Sequence, residues 1–301
     1  MMNLHASHLN GELWTDAALD GLKDGLWSIP VLFVAYLLME LLERSNRLNE
    51  STLRRYSRRA GPALGGLLGV LPQCGISGAA ATLFSTGSIT VGTMLAVFFA
   101  TSDEMLPILL SSLTEQNGVS VRTLLLIVAG KALLGVALGY LADLLLHPLL
   151  RADKDIHSFC EREHCACDEE GNVFVSALKH TVKIALMLVA VNIALNLLFS
   201  FIGVERLSGT FLRHPLLGSV TLALFGLIPN CSVSVVLTQT YLSGVIGVGG
   251  LFAGLLSNAG IGLLVLYRTN RNTRENLWIT GFLFAASAAS GIVITLLSGL
   301  L

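Results

Sequence analysis

The sequence predicts an all-α, polytopic membrane protein made of two copies of one unit. Of its 301 residues 53% are hydrophobic and only 13% are charged, and apolar runs long enough to cross about 30 Å of hydrocarbon as helices recur along the chain. The stretch Gly69–Ser77 reappears as Gly226–Ser234, each time with a Pro, an amide residue and a Cys in succession. Five further matches occur at the same offset of 157 residues, so the chain is predicted to be a duplication.

Each copy contains four apolar segments. They cover residues 25–43, 61–87, 88–110 and 121–147 in the first copy and 179–201, 214–243, 245–267 and 276–300 in the second. We accordingly divide the chain into a first membrane repeat, 1–150, a linking loop rich in Cys and His, 151–176, and a second membrane repeat, 177–301.

The second segment of each copy is interrupted halfway by its Pro and Cys. The two arms, of about 10–13 residues, would each rise roughly 15–20 Å, enough to reach the middle of a bilayer and return. We therefore predict a re-entrant hairpin, with full spanning as the alternative. A helix broken at the same place in both halves of a membrane protein indicates a transport site.

The distribution of basic residues favours inverted copies. Residues 44–60 hold six Arg and residues 268–275 hold three, whereas residues 111–120 hold no Lys or Arg, and basic loops are retained in the cytoplasm. With a hairpin, each copy has three spanning helices and the copies are inverted. Of these three stretches the two basic ones are then cytoplasmic and 111–120 is outside. Counting each hairpin arm gives about ten helical segments. If the segment spans fully, the copies are parallel and 111–120 is cytoplasmic as well.

The hairpin tips carry chemistry suited to a soft cation. Thiolates bind thiophilic ions such as Cu(I) and Zn(II), and amide oxygens and freed carbonyls complete a shell. The candidate substrate ligands at the tips are Cys74, Cys231, Gln73, Asn230, Ser77 and Ser234. The alternative for each Cys is that it serves as a small hydrophobic residue.

Two adjacent acids, Asp103 and Glu104, lie within the third segment of the first copy. A charge in mid-membrane costs about 2.5–3.5 kcal/mol on insertion scales, so these acids need a partner, a proton or a metal. Thr101 corresponds to Asn258 in the second copy. We expect Asp103 and Asn258 to bind substrate, and Glu104 and Lys131 to form a coupling pair that an entering cation or proton breaks. The alternative is that the acids lie near a helix end and reach the headgroups.

The linking loop contains five residues of the kind that bind metals. They lie within eleven positions, although their spacing does not match a closed zinc finger. The candidate metal ligands are His157, Cys160, His164, Cys165 and Cys167. In the inverted topology they face the reducing cytosol, where thiols stay free to bind metal. The alternative is a solvated acidic loop with incidental cysteines.

Four pieces of the sequence carry a resemblance to a known family. They are Leu71-Pro72-Gln73-Cys74-Gly75, Thr101 to Pro107, the Cys-rich link, and Ala177 to Thr181. Together they resemble the ten-helix heavy-metal exporter family, whose members carry labels such as arsenic efflux protein or manganese transporter and which is similar in style to organoarsenical permeases. The resemblance implies export of a metal or metalloid across the inner membrane.

The sequence therefore predicts a secondary-active transporter of the bacterial inner membrane. We expect it to export a metal or metalloid ion, of the Mn, Zn/Cu or arsenic type, by proton antiport. The alternatives are an exporter of an organic or oxyanionic solute and a membrane metal sensor. No nucleophile and base pair suggests an enzyme, and no Gly-Lys-Ser/Thr phosphate loop occurs.

The expected partners are membrane lipids and the transported ion. A metal at the linking loop and a homodimer are left open. No tightly bound cofactor and no nucleic acid are expected, since the basic residues form no single stripe.

Overall fold

The computed structural model describes residues 50–71, 74–101, 104–113, 119–146, 215–270 and 272–300, and seven single positions: 33 and 37 in the first copy and 178, 181, 182, 186 and 190 in the second. In this part of the chain the secondary structure is α-helical without strands, as predicted. The helices are α1 (Glu50–Gly69), α2 (Cys74–Ser85), α3 (Val91–Ala100), α4 (Met105–Ser112), α5 (Val121–Leu146), α6 (Pro215–Gly226), α7 (Cys231–Leu242), α8 (Val248–Ser257), α9 (Gly262–Thr269) and α10 (Thr273–Leu300).

Within the described ranges, four segments are long and apolar enough to cross a membrane. Two are continuous helices, α5 and residues Thr273–Ser298 of α10, with mean hydropathies of 2.1 and 1.9. The other two, Val91–Ser112 and Val248–Thr269, combine α3 with α4 and α8 with α9, with mean hydropathies of 1.4 and 1.8. The chain therefore has the helices of a membrane protein.

The duplication is visible in the helix bounds. Shifting α2, α3 and α4 by 157 residues gives the bounds of α7, α8 and α9. The last helix departs from that offset, because three residues separate α9 from α10 where eight separate α4 from α5. Gly139 of α5 and Gly291 of α10 make matching close contacts, with Ala96 and with Ala253, so these helices correspond at an offset of 152 residues.

The third segment of each copy is broken, whereas the sequence indicated an unbroken span. In the first copy α3 ends at Ala100 and α4 begins at Met105, and in the second α8 ends at Ser257 and α9 begins at Gly262. Thr101 and Glu104 thus lie at helix ends within the segment, not inside a helix. The basic stretch 44–60, expected to be a loop, is helical from Glu50 onwards because α1 extends through it.

The direction of each helix in the first copy follows from close contacts. A Cβ on Gly65 of α1 would lie 2.6 Å from the carbonyl oxygen of Thr93, and one on Gly69 would lie 2.8 Å from Cβ of Ala100, so α1 and α3 run parallel. Since α2 begins near the end of α1 and ends just before α3 begins, α2 runs antiparallel to both. Gly135 of α5 lies against Ala100, and Gly139 against Ala96, so α5 is antiparallel to α3.

The second copy repeats these directions. Gly250 of α8 packs on Leu222 of α6, and Gly226 packs on Gly254, so α6 and α8 are parallel. Gly291 of α10 lies against Ala253, and Thr280 further towards the start of α10 bonds to Tyr267 of α9 at 3.1 Å. α9 therefore continues in the direction of α8, and both run antiparallel to α10.

The returning helix of each copy ends in the same turn. Gly87 (φ 79°) and Gly244 (φ 74°) both have the left-handed backbone that glycine adopts readily. The amide that follows the glycine donates back into the helix. In the first copy Ser88 donates to the carbonyl of Leu83 at 3.0 Å, and in the second Val245 donates to the carbonyl of Thr240 at 3.1 Å. This is the glycine-terminated helix end known as the Schellman motif, and it reverses the chain into α3 and α8.

Candidate functional site

The helix ends of each copy meet at one level of the molecule. Gly69, the last residue of α1, lies against Ala100, the last residue of α3. Gly226, the last residue of α6, lies against Gly254 and the hydroxyl of Ser257 at the end of α8. The two chain breaks of a copy are thus side by side. Non-helical backbone within a membrane is tolerated only where protein or a water-filled cavity surrounds it.

Helices α2 and α9 bring the breaks of the two copies together. A Cβ on Gly262, the first residue of α9, would lie 2.8 Å from Cβ of Ser77 and 2.6 Å from the ring of Phe98. At their other ends the hydroxyls of Ser85 and Thr269 are 2.7 Å apart. α2 and α9 therefore run parallel, with their N-terminal ends adjacent at the level of the breaks. Their duplicates α7 and α4 also contact one another.

The break in the second copy is a buried, locally capped turn. The side-chain oxygen of Asn258 accepts a hydrogen bond of 3.0 Å from the amide of Gly260, whose φ of 52° lies in the left-handed region. Ala259 and Ile261 are also buried. The corresponding position in the first copy, Thr101, instead donates its hydroxyl to the carbonyl of Val97 at 2.6 Å.

Lys131 lies at the break of the first copy. It is 2% exposed, and its Nζ donates to the carbonyl oxygen of Thr101, which caps the C-terminal end of α3. A positive charge at a helix C-terminus is electrostatically favourable. The corresponding residue of the second copy is Leu283, which is fully buried, so the ammonium belongs to one copy only.

Asp143 is an important residue that the sequence analysis missed. Its carboxylate accepts hydrogen bonds from the amide of Gly92 at 2.7 Å and from the hydroxyl of Thr90 at 2.8 Å, both at the N-terminal end of α3. An anion at a helix N-terminus is favourable for the same electrostatic reason. Asp143 lies twelve positions after Lys131, and this separation on one helix could have been noticed in the sequence.

Six predicted site residues have a described position. Ser77, Ser234, Asn230 and Asn258 are buried near helix starts or breaks, Glu104 is half-buried at the start of α4, and Lys131 contacts Thr101. Cys74 and Cys231 are the first residues of α2 and α7, and their side chains lie outside the description. Gln73, Asp103 and the candidate metal ligands His157, Cys160, His164, Cys165 and Cys167 lie outside it altogether, so the metal tract and the substrate-binding role of Asp103 stay predictions.

The described side chains offer hydroxyls, amides and an ammonium at the breaks. Within the described ranges His, Cys, Asp and Glu side chains form no group of three that could hold a metal ion. The described side chains at the breaks can therefore bind a solute through hydrogen bonds and through one positive charge. The thiols of Cys74 and Cys231 and the carboxylate of Asp103 are predicted to add to this set of groups.

Comparison with known proteins returned no relative: no protein-family model, no curated protein and no solved structure matches this chain.

Proposed function

We propose that the chain is a secondary-active transporter that binds its cargo at the breaks, where its helical segments are interrupted. The observation that carries this proposal is the approach of Gly262 to Ser77, which brings a break of the second copy against the returning helix of the first. Discontinuous helices that meet between two repeats form the binding sites of many secondary transporters, because their free amides and carbonyls can coordinate a solute.

Helix directions support the inverted arrangement of the copies. α3 runs antiparallel to α2, α2 runs parallel to α9, and α9 continues the direction of α8. Since α3 and α8 are duplicates of each other, the two copies point in opposite directions. In this proposal α1 with α2, and α6 with α7, are the re-entrant hairpins.

The basic residues support a definite sidedness. α1, which carries Arg54 to Arg59, starts at the face where α2 and α9 end, and Arg268 and Arg274 flank the end of α9. Both basic stretches therefore share one face, whereas residues 119 and 120, which precede α5, lie at the opposite face. By the positive-inside rule the arginine face is cytoplasmic, in keeping with an inner-membrane location.

A metal or metalloid ion, exported by proton antiport, is our first candidate cargo. Its support is the position of Cys74 and Cys231 as first residues of α2 and α7, where a thiolate would be stabilised by the helix dipole. Asp103 would add a carboxylate, and Glu104 and Lys131 would couple transport to protons. Mn(II) would prefer the carboxylates and amides, whereas Zn(II), Cu(I) or trivalent arsenic would prefer the thiols.

An oxyanion or organic anion is the second candidate cargo. The parallel pair α2 and α9 presents two helix N-termini at the breaks, next to the buried hydroxyl-bearing residue Ser77. Aligned amides of this kind attract negative charge. Lys131 adds a positive charge while neutralising the carbonyl end of α3 that a cation would otherwise use.

The two candidates are separated by measuring accumulation in cells that lack their own exporters. Mn, Zn, Cu, Co, Cd and arsenite are compared with and without the chain. For a soft cation we expect a fall in one element that Cys74→Ala or Cys231→Ala abolishes; for Mn(II) we expect Asp103→Asn to abolish it while both Cys→Ala variants remain active. If no element changes while the protein is present in the membrane, the metal proposal is wrong and anionic solutes are tested next.

A further inference from the structure

The two duplicate helix pairs that join the copies are not equally buried. Thr82 of α2 and Thr86 just after it, at 2% and 0% exposure, are inaccessible, whereas their counterparts in the second copy, Gln239 and Ser243, are exposed. Phe84 is also buried, and its counterpart Tyr241 is only half-buried. The turn that follows α2 is therefore enclosed by protein, and the matching turn after α7 is open.

The partner helices differ in the same sense. Leu263 and Val265 of α9 are buried, whereas their counterparts on α4, Leu106 and Ile108, are half-buried. Pro107 of α4 is exposed. Both members of the pair α2 and α9 are thus better packed than their duplicates α7 and α4.

The open pair presents polar groups as well as apolar ones. Gln239 of α7, Ser243 just after it and Ser111 of α4 are exposed. The hydroxyls of Ser243 and Ser111 donate to the carbonyls of Thr240 at 3.0 Å and Ile108 at 2.8 Å, so these two residues tolerate either water or hydrocarbon. The side-chain amide of Gln239 would lose hydrogen bonds to water in hydrocarbon, at a cost of about 2 kcal/mol or more. Its exposure therefore indicates water beside α7.

We propose that α2 and α9 form a cytoplasmic gate that is closed in this structure, and that α4 and α7 form the opposite gate, which is open. This inference rests on the transporter proposed above and assigns its conformation. We call the pair α2 and α9 the inner gate and the pair α4 and α7 the outer gate. Two contacts close the inner gate: that of Ser85 with Thr269 at the cytoplasmic end and the packing of Gly262 on Ser77 at the breaks. Both must separate before a solute can pass to or from the cytoplasm.

The duplication supplies a matched pair of crosslinking variants. Ser85→Cys with Thr269→Cys tests the inner gate, because the two side-chain oxygens are 2.7 Å apart and sulfurs in their place would be within reach of a disulfide. Ser112→Cys with Leu242→Cys places cysteines at the duplicate positions of the outer gate. A protease site in the connection 151–176 lets a non-reducing gel report whether the halves stay linked after mild oxidation, and the parent chain with its native cysteines sets the background.

We expect the inner pair to crosslink at least fivefold faster than the outer pair. We also expect the inner disulfide to block transport and a reductant to restore it. Equal or faster crosslinking of the outer pair, or unchanged transport with the inner disulfide in place, would overturn the inference. The crosslinking ratio needs no known cargo, so a chain that shows the expected ratio but transports nothing contradicts the proposed function and not the closed gate.

Single cysteine substitutions give a second measurement, which is still possible if a double-cysteine variant fails to fold. Ser243→Cys should react with a membrane-impermeant thiol reagent from outside at least tenfold faster than its duplicate Thr86→Cys does from inside. Equal reaction rates would contradict a closed inner gate and an open outer gate.

Discussion

Lys131 and Asp143 act on the two ends of a single half-helix. Their separation along α5 is about 18 Å, close to the length of α3, so the ammonium meets the C-terminal carbonyl end and the carboxylate meets the N-terminal amides. Each charge is opposite in sign to the end of the α3 dipole that it contacts, which is electrostatically favourable. The second copy has Leu283 and Thr295 at these places, so among the described residues charges hold the ends of α3 but not those of α8.

Replacing Lys131 should impair transport more than stability. In Lys131→Met the carbonyl of Thr101 loses its donor, a loss of about 1–3 kcal/mol, but a buried charge is removed at the same time. We expect transport to fall at least tenfold with a small change in the thermal midpoint in detergent. The matched control, Leu283→Met, should keep near-parental transport, and equal effects of the two substitutions would contradict a special role for the ammonium.

Replacing Asp143 should destabilise the protein. Asp143→Ala leaves the amide of Gly92 and the hydroxyl of Thr90 without this acceptor, and hydrogen bonds to a charged group contribute about 1.5–3 kcal/mol. We expect a loss of about 2–3 kcal/mol in the free energy of unfolding, measured by denaturant titration in detergent. Thr295→Ala at the corresponding position should lose less than about 1 kcal/mol, since that hydroxyl bonds a carbonyl of its own helix.

At the scale of helices, the sequence predicted the duplication to the residue for three pairs but missed a break. The Pro and Cys marked the interruption before α2 and α7, because proline cannot donate to a helix. The stretch Thr101 to Glu104 contains neither Pro nor Gly, so its sequence predicts a continuous helix with two acids inside a membrane span. Two signals were present: Gly260 at the matching place in the second copy, and Pro107, which lies in the first turn of α4 where proline is tolerated.

The contact between α2 and α9 should be sensitive to a single methyl group. In Gly262→Ala the new Cβ would lie 2.6 Å from the Phe98 ring and 2.8 Å from Ser77, and overpacking of this kind costs about 1–3 kcal/mol. We expect reduced thermal stability and slower crosslinking of Ser85→Cys with Thr269→Cys. Gly281→Ala is the control, because nothing lies within 4 Å of its added Cβ; an equal loss in both variants would contradict the prediction.

At the scale of the whole molecule, the packing of the helices relates to their environment. The discontinuous segment α8 with α9 is almost entirely buried, whereas α5 and α10 expose many apolar side chains, such as Leu133 at 70% and Leu144 at 74%. The interrupted segments are thus more enclosed by protein than the continuous helices, and among them α4 is the more open part. This order fits the rule that interrupted backbone needs protein or water around it.

The proposed inverted arrangement predicts that two exposed positions lie on opposite sides of the membrane. Ser120 precedes α5 and Asn272 precedes α10, and we expect Ser120→Cys to react with a membrane-impermeant thiol reagent from outside the cell and Asn272→Cys only after the membrane is opened. The parent chain without an added cysteine gives the background. Labelling of both positions from the same side would favour parallel copies, because 111–120 is then cytoplasmic.

The sequence by itself determined that the chain is helical, apolar enough to span a membrane and duplicated, because hydropathy, helical periodicity and repeated residues are local properties of the chain. It also singled out Lys131, since an ammonium within an apolar run needs a partner. Only the tertiary structure decided that α2 turns back beside α9, that Lys131 meets a backbone carbonyl, and that Asp143 holds the other end of α3. Those facts depend on contacts between residues as far apart as Ser85 and Thr269, which no local pattern records.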